Sequence, residues 1–149
     1  MVLIEFYTKG ANRLDFEMVE SLNSKQVEEL HVMYETEWWT KGRTLTDIQI
    51  MLQNSDIVIA LVGPQHKELI AFARVLTDYV YKAIIFDVIV HASYRGKHIG
   101  EKVMNEIIQH PSLKKINHFE LYCRPEMISF YERWGFTNHL GELHFMRRS

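Results

Sequence analysis

The stretch KAIIFDVIVHASYRGKHIGEKVMNEIIQHPSLKKINHFELYC, residues 82–123, changes its hydrophobic period twice. Residues 82–90 form an apolar run of strand length. Residues 100–110 put Val103, Met104, Ile107 and Ile108 on one face of a helix that Pro111 stops. Residues 116–123 return to a strand-like apolar run. Two strands joined by a helical crossover of this length run parallel, and the connection is right-handed.

Upstream, IVIALV (57–62), the break at Gly63-Pro64 and ELIAFARVL (68–76) read as an antiparallel hairpin of buried strands. An antiparallel half therefore meets a parallel pair, which predicts an α/β fold with a mixed sheet and helices on both faces. Further upstream, Val27, Leu30, Met33 and Tyr34 recur at helical spacing from Ser24 to about Glu37, behind Asn23 and Ser24 as caps. Thr46 and Gln49 make a capping-box pattern for a second, short helix ending near Asn54. Residues 2–7 and 14–20 look strand-like around the turn TKGAN. Downstream, PEMISFYERW has Pro125 in a first-turn position, Met127, Tyr131 and Trp134 at helical spacing, and Gly135 for a left-handed cap. A last strand pair is expected from Phe136 to Arg147 around Gly141.

The chain of 149 residues has no linker or repeat, so one domain over 1–149 is expected. With 47% apolar and 24% charged residues the balance is that of a soluble globular protein. A formal net charge of −2 argues against a nucleic-acid partner gathered by bulk charge. Cys123 is the only cysteine, which excludes an internal disulfide and fits a reducing cytoplasm. It is expected to be a buried structural residue. The histidines form no zinc pattern, no segment has the length of a membrane span, and the first residues carry no basic leader. No metal, no membrane and a cytoplasmic location are the expectations.

Between His91 and Gly100 there is no acidic residue, while Arg95 and Lys97 add positive charge. The loop SYRGKHIG turns directly into the helix, so the unpaired N–H groups of the first turn converge on a small volume that prefers an anion. Gly96 and Gly100 leave room for close backbone approach. The segment is thus built like a pyrophosphate cradle, although a plain solvated strand-to-helix turn has the same composition. Neither GxxxxGK[ST] nor GxGxxG occurs.

Arg95, Gly96, Lys97, His98, Ile99 and Gly100 resemble the coenzyme A motif Gln/Arg-x-x-Gly-x-Gly/Ala of the GNAT acetyltransferase superfamily, with His98 where the inner Gly usually stands. FYERWGF, residues 130–136, resembles the superfamily's Phe/Leu-Tyr-x-x-x-Gly-Phe signature at the expected distance downstream. The resemblance implies a central sheet of about six to seven strands, splayed parallel strands and acetyl-CoA as co-substrate. Backbone groups of Val88, Ile89 and Val90 would bond its pantetheine arm, and residues 95–100 its pyrophosphate. It makes Tyr131 the donor to the departing sulfur, and a homodimer through the final strands is common in the superfamily.

Attack of an amine on a thioester needs a neutral amine, an oxyanion donor and a proton for the thiolate. The Val88 N–H is the candidate donor. Asp87 lies in an apolar strand, where an unpaired carboxylate is costly. Three roles stay open for it: proton acceptor, anchor for the substrate ammonium, or hydrogen-bond partner of the backbone at the splay. The resemblance implies an acceptor pocket at the first two helices and the loops near the splay, where YETEWWTKGR (34–43) offers Glu35 and Glu37 to attract an amine and Trp38 and Trp39 as an aromatic wall. Adjacent tryptophans on a helix cannot face the same way, so one belongs to the core. Asp78, Tyr79 and Tyr81 are further candidates. The reading is an N-acetyltransferase acting on a primary amine, most simply of a small molecule; the alternatives are a protein or peptide N-acetyltransferase and a non-catalytic acyl-CoA sensor.

Overall fold

The computed structural model describes residues 15–149. Strand β2 (Ile57–Val62) sends Ile57, Ile59 and Leu61 to one side of the sheet and Val58, Ala60 and Val62 to the other, and all are buried. Successive side chains alternate between faces, so a strand that is apolar throughout needs cover on both. On one face that cover is α1 (Ser24–Glu35) and α2 (Leu45–Gln53), which contribute Val27, Leu30, Met33, Tyr34 and Ile48. On the other it is α3 (Ile99–Ile108), through Ile99, Val103, Met104 and Ile107.

Around β2 stand β1 (Glu17–Val19), β3 (Leu69–Thr77), β4 (Lys82–Val90) and β5 (His118–Glu120), in the spatial order β1-β2-β3-β4-β5. The pairs from β1 to β4 are antiparallel and β4–β5 is parallel. This is the mixed sheet that the crossover predicts.

Helix ends follow local chemistry. In α1, Asn23 Oδ1 accepts the Gln26 N–H at 2.9 Å and Gln26 Oε1 accepts the Asn23 N–H at 3.0 Å, a reciprocal capping box. The cap of α2 is Thr44, whose Oγ1 accepts the Asp47 N–H at 3.1 Å, rather than Thr46. Thr44 and Asp47 have the same spacing as Thr46 and Gln49, and an acidic side chain in the first turn also suits the helix dipole. The helix stops at Asn54 as expected.

Four sequence expectations are corrected or fall outside. The sheet has five described strands, fewer than six or seven. The pair expected over 136–147 is absent, because Leu140, Leu143, Phe145 and Met146 all remain exposed and the alternation has no buried face to serve. Of residues 116–123 only His118–Glu120 are strand. Residues 2–7 lie outside the described part. The segment 125–134 forms a 3₁₀ turn (Pro125–Met127) leading into α4 (Ile128–Glu132), and Gly135 takes φ +82° as a left-handed cap requires. Among the described residues no helix is long and apolar enough to cross a membrane.

Candidate active site

Strands β4 and β5 pair only at Lys82–His118, Ala83–Phe119 and Ile84–Glu120. Beyond these, β4 continues to Val90 while the chain after Glu120 leaves the ladder, so a wedge opens between them. Val88 and Val90 line the α3 side of this wedge, packed with Phe130, Tyr131 and Trp134 against one core cluster.

Past Val90 the chain makes a 3₁₀ turn (Ala92–Tyr94), and Gly96 follows at φ +75°. His98, the cap position of α3, also sits in the left-handed region at φ 59° and makes no side-chain cap bond. The first-turn N–H groups of Ile99, Gly100 and Glu101 have no hydrogen-bond partner among the described residues. Unlike α1 and α2, this helix leaves its positive end for something else to satisfy. Gly100 serves packing: a Cβ there would approach Phe130 Cζ to 3.3 Å and Val90 Cγ2 to 3.9 Å. The cradle, the last turn of the strand and α4 are thereby drawn together.

Tyr131 is held through α4. Trp134 Nε1 donates to Asn105 Oδ1 of α3 at 2.8 Å, and Arg133 pairs with Glu101 at 3.1 Å. The Tyr131 ring meets Phe130 and Phe136 at centroid distances of 4.9 and 6.2 Å, and its hydroxyl has no partner among the described residues. Burial, with Cys123 nearby, pushes its phenol up to about 12, so it stays protonated at neutral pH. Cys123 itself is exposed, not buried as expected, because the strand ends at Glu120.

On the α1–α2 side of the wedge, β4 carries an extra residue: Phe72 pairs with Ile89 but Arg74 with Phe86. The bulge places Asp87 at φ 57° and turns its carboxylate towards the helices. Asp87 Oδ2 accepts from Tyr34 Oη at 2.9 Å, Arg43 Nη1 at 2.7 Å and Arg74 Nε at 2.8 Å, and Oδ1 accepts from Arg43 Nη2 at 3.3 Å. The side chain is 5% exposed. Burial raises its pKa, but the hydrogen bonds and charges of Arg43 and Arg74 outweigh that and hold it below the usual carboxylate range. Burial and the same carboxylate push the Tyr34 phenol well above its ordinary value. The partners of Asp87 are thus side chains from α1, the α1–α2 connection and β3, not backbone groups.

The structure disperses the other acceptor candidates. Glu35 Oε1 accepts the Gly42 N–H at 2.9 Å and braces the loop. Trp38 and Trp39 are 65% and 37% exposed, so neither is core; α1 ends at Glu35, and the helix argument lapses before it reaches them. Arg124, just after β5, stacks over Trp38 at 3.9 Å. Asp78 sits in the turn between β3 and β4, at the end of β4 away from His91–Gly100, where its Oδ1 accepts the N–H groups of Val80, Tyr81 and Lys82. Tyr34, Arg43, Arg74 and Arg124 were not singled out from the sequence. Arg74 carried a usable signal, a lone charge in an apolar strand like that of Asp87 in the next one. Among the described residues no three His, Cys, Asp or Glu side chains are grouped to hold a metal.

A parallel pair that splays above an uncapped βα turn, with a tyrosine on the helix after β5, is the arrangement that the resemblance to the acetyltransferases led one to expect. Residues 22–136 match the Acetyltransferase (GNAT) family, and the chain belongs to that family. It is 30% identical over 132 residues to a protein of Pyropia yezoensis named uncharacterized N-acetyltransferase ycf52, covering 86% of this chain and 75% of that protein. It is 32% identical over 96 residues to GCN5-related N-acetyltransferase 1, chloroplastic, of Arabidopsis thaliana, covering 64% and 49%. A GNAT-family acetyltransferase structure from Xanthomonas campestris pv. campestris superposes with a TM-score of 0.75 at 24% identity, covering 89% of this chain and 93% of that one, which shows the shared fold.

Proposed function

We propose that this chain, as a single domain, transfers the acetyl group of acetyl-CoA to a primary amine by direct attack in a ternary complex. The observation that carries the reading is the wedge between β4 and β5, which runs to Val90 and on into a helix terminus whose first-turn N–H groups have no partner among the described residues. A gap edged by strand backbone and ending at a positive helix terminus suits a ligand with an extended amide arm and a pyrophosphate. Val88, Ile89 and Val90 would bond the arm, and residues 95–100 the phosphates.

In this reading the Val88 N–H faces the oxygen that gains charge when the amine nitrogen bonds to the thioester carbon. As the C–S bond breaks, nitrogen must lose a proton and sulfur must gain one. A phenol pushed up to about 12 does not release its proton outright to a departing thiolate, whose thiol has an ordinary pKa of about 8.5 in free cysteine. Tyr131 therefore acts as a relay, giving its proton to sulfur while taking one from nitrogen, directly or through water. Asp87 is fully engaged and serves as a positioning residue for the bulge beneath Val88. Two guanidinium groups against one carboxylate leave the neighbourhood net positive, which favours the neutral, attacking form of an amine.

The wall on this side is aromatic: Trp38 beneath Arg124, and Phe86 edge-on to Tyr122 at 6.0 Å. It favours a small amine with a flat ring. The relatives include proteins named as a histone acetyltransferase in Glycine max and a serotonin N-acetyltransferase in Oryza sativa subsp. japonica, so the family name by itself leaves the acceptor open. The lone free cysteine supports a reducing compartment such as the cytoplasm. The test is release of coenzyme A thiol from acetyl-CoA against arylalkylamines, polyamines, amino acids and short peptides. Turnover with arylalkylamines is expected. Acetyl-CoA binding without turnover on any amine would leave a sensor domain instead.

A further inference from the structure

Arg95 spans the mouth of the wedge. Its Nε donates to the Val90 carbonyl at 3.2 Å, and its Nη2 is ion-paired with the Glu37 carboxylate. Val90 ends β4, and Glu37 lies in the turn that follows α1, so one side chain ties the anion cradle to the acceptor wall. Glu37 is the more enclosed partner, with 21% of its side chain exposed against 51% for Arg95. Its backbone is fixed as well: the Glu37 carbonyl accepts the N–H groups of Thr40 and Lys41 at 3.2 and 2.9 Å.

We propose that this ion pair is a latch coupling the two substrate sites: coenzyme phosphate draws Arg95 away from Glu37 and Val90, and the released Glu37 becomes the carboxylate that captures the incoming ammonium. The inference rests on the acetyl-CoA reading above and assigns the order and the acceptor contact within it. A guanidinium fork bound bidentately to phosphate turns its donors away from Val90 and Glu37. While the latch is closed, the Glu37 charge is neutralised and the Val90 carbonyl is occupied, so neither serves a substrate. Once it opens, an uncompensated carboxylate stands beside Trp38 at the rim. An amine is captured there as its cation and loses its proton deeper in, beside Arg43 and Arg74. Linkage requires that the acceptor and the coenzyme each raise the other's affinity by the same factor.

The test is calorimetric titration of the full chain with coenzyme A, comparing wild type, Glu37→Gln, Arg95→Met and the double variant. An exposed ion pair of this kind sets the scale: Glu37→Gln is expected to tighten coenzyme A binding by about two- to fivefold, and to have no effect once Arg95 is Met. In steady state Glu37→Gln is expected to raise the acceptor KM about tenfold with kcat little changed. Unchanged or weaker coenzyme A binding in Glu37→Gln overturns the latch, as does an equal effect of Glu37→Gln with and without Arg95. Tightened coenzyme binding with an unchanged acceptor KM also overturns it, since Glu37 would then be no acceptor contact. A wild-type chain that binds no coenzyme A overturns the acetyltransferase reading and the latch together; normal binding without the coupling overturns the latch alone.

Discussion

Replacing Asp87 with Asn separates a base from a structural hub. The carboxylate collects Tyr34, Arg43 and Arg74 with a side chain only 5% exposed. The amide retains one acceptor oxygen but adds an N–H₂ group among donors, and it leaves two guanidinium groups without their counter-charge. Removing one partner of a buried ion pair costs about 3–5 kcal/mol. Arg43 is 31% exposed and can turn to water, so the lower end, about 3 kcal/mol, applies. For a chain of this size that lowers the unfolding midpoint by roughly 6–12 °C. The pH dependence adds a second check. Since the folded pKa lies below the unfolded value of about 3.9, the stabilisation from Asp87 is full above that value and is lost as pH falls through the folded pKa. Thermal unfolding from neutral to strongly acidic pH should show this acid limb in wild type and a weaker one in the variant. A midpoint within about 2 °C of wild type, together with loss of the acidic limb of the rate, would refute the hub and make Asp87 the base.

Tyr131→Phe keeps the ring contacts with Phe130 and Phe136 and removes only the hydroxyl, so kcat should fall about 100-fold or more while the Kd for acetyl-CoA holds within twofold. An unchanged kcat would take Tyr131 out of the reaction. His98→Gly relieves a left-handed residue at φ 59°, and after the entropy cost of glycine a gain of about 0.5–1 kcal/mol is expected by denaturant unfolding. A loss of stability would show that the contact of His98 with Glu101, 3.3 Å away, matters more than the backbone strain. With Asp87 engaged by Tyr34, Arg43 and Arg74, the rising limb of kcat/KM against pH should follow the pKa of the amine and move with it when acceptors of different basicity are compared. A limb fixed at one pH for all acceptors would point to a protein base.

The sequence alone determined what depends on neighbours along the chain. The period changes over residues 82–123 set the parallel crossover, and the fully apolar IVIALV run required helices on both faces, because side-chain alternation is a local property. The glycine-containing strand-to-helix turn was legible for the same reason, since its glycines, its cations and the start of α3 are contiguous. What only the tertiary structure decided is what distant segments do when they meet. Asp87 stood out as a charge in an apolar strand, but its pairing with Arg74 of the next strand, and with Tyr34 and Arg43 from α1 and the loop after it, depends on a bulge that no residue type announces. The same holds for Arg95, which reads as part of a phosphate cradle and folds back onto Glu37, 58 residues away in sequence. The C-terminal alternation around Gly141 looked like strand, yet it found no edge and no buried face. A strand is specified by its partner as much as by its own residues.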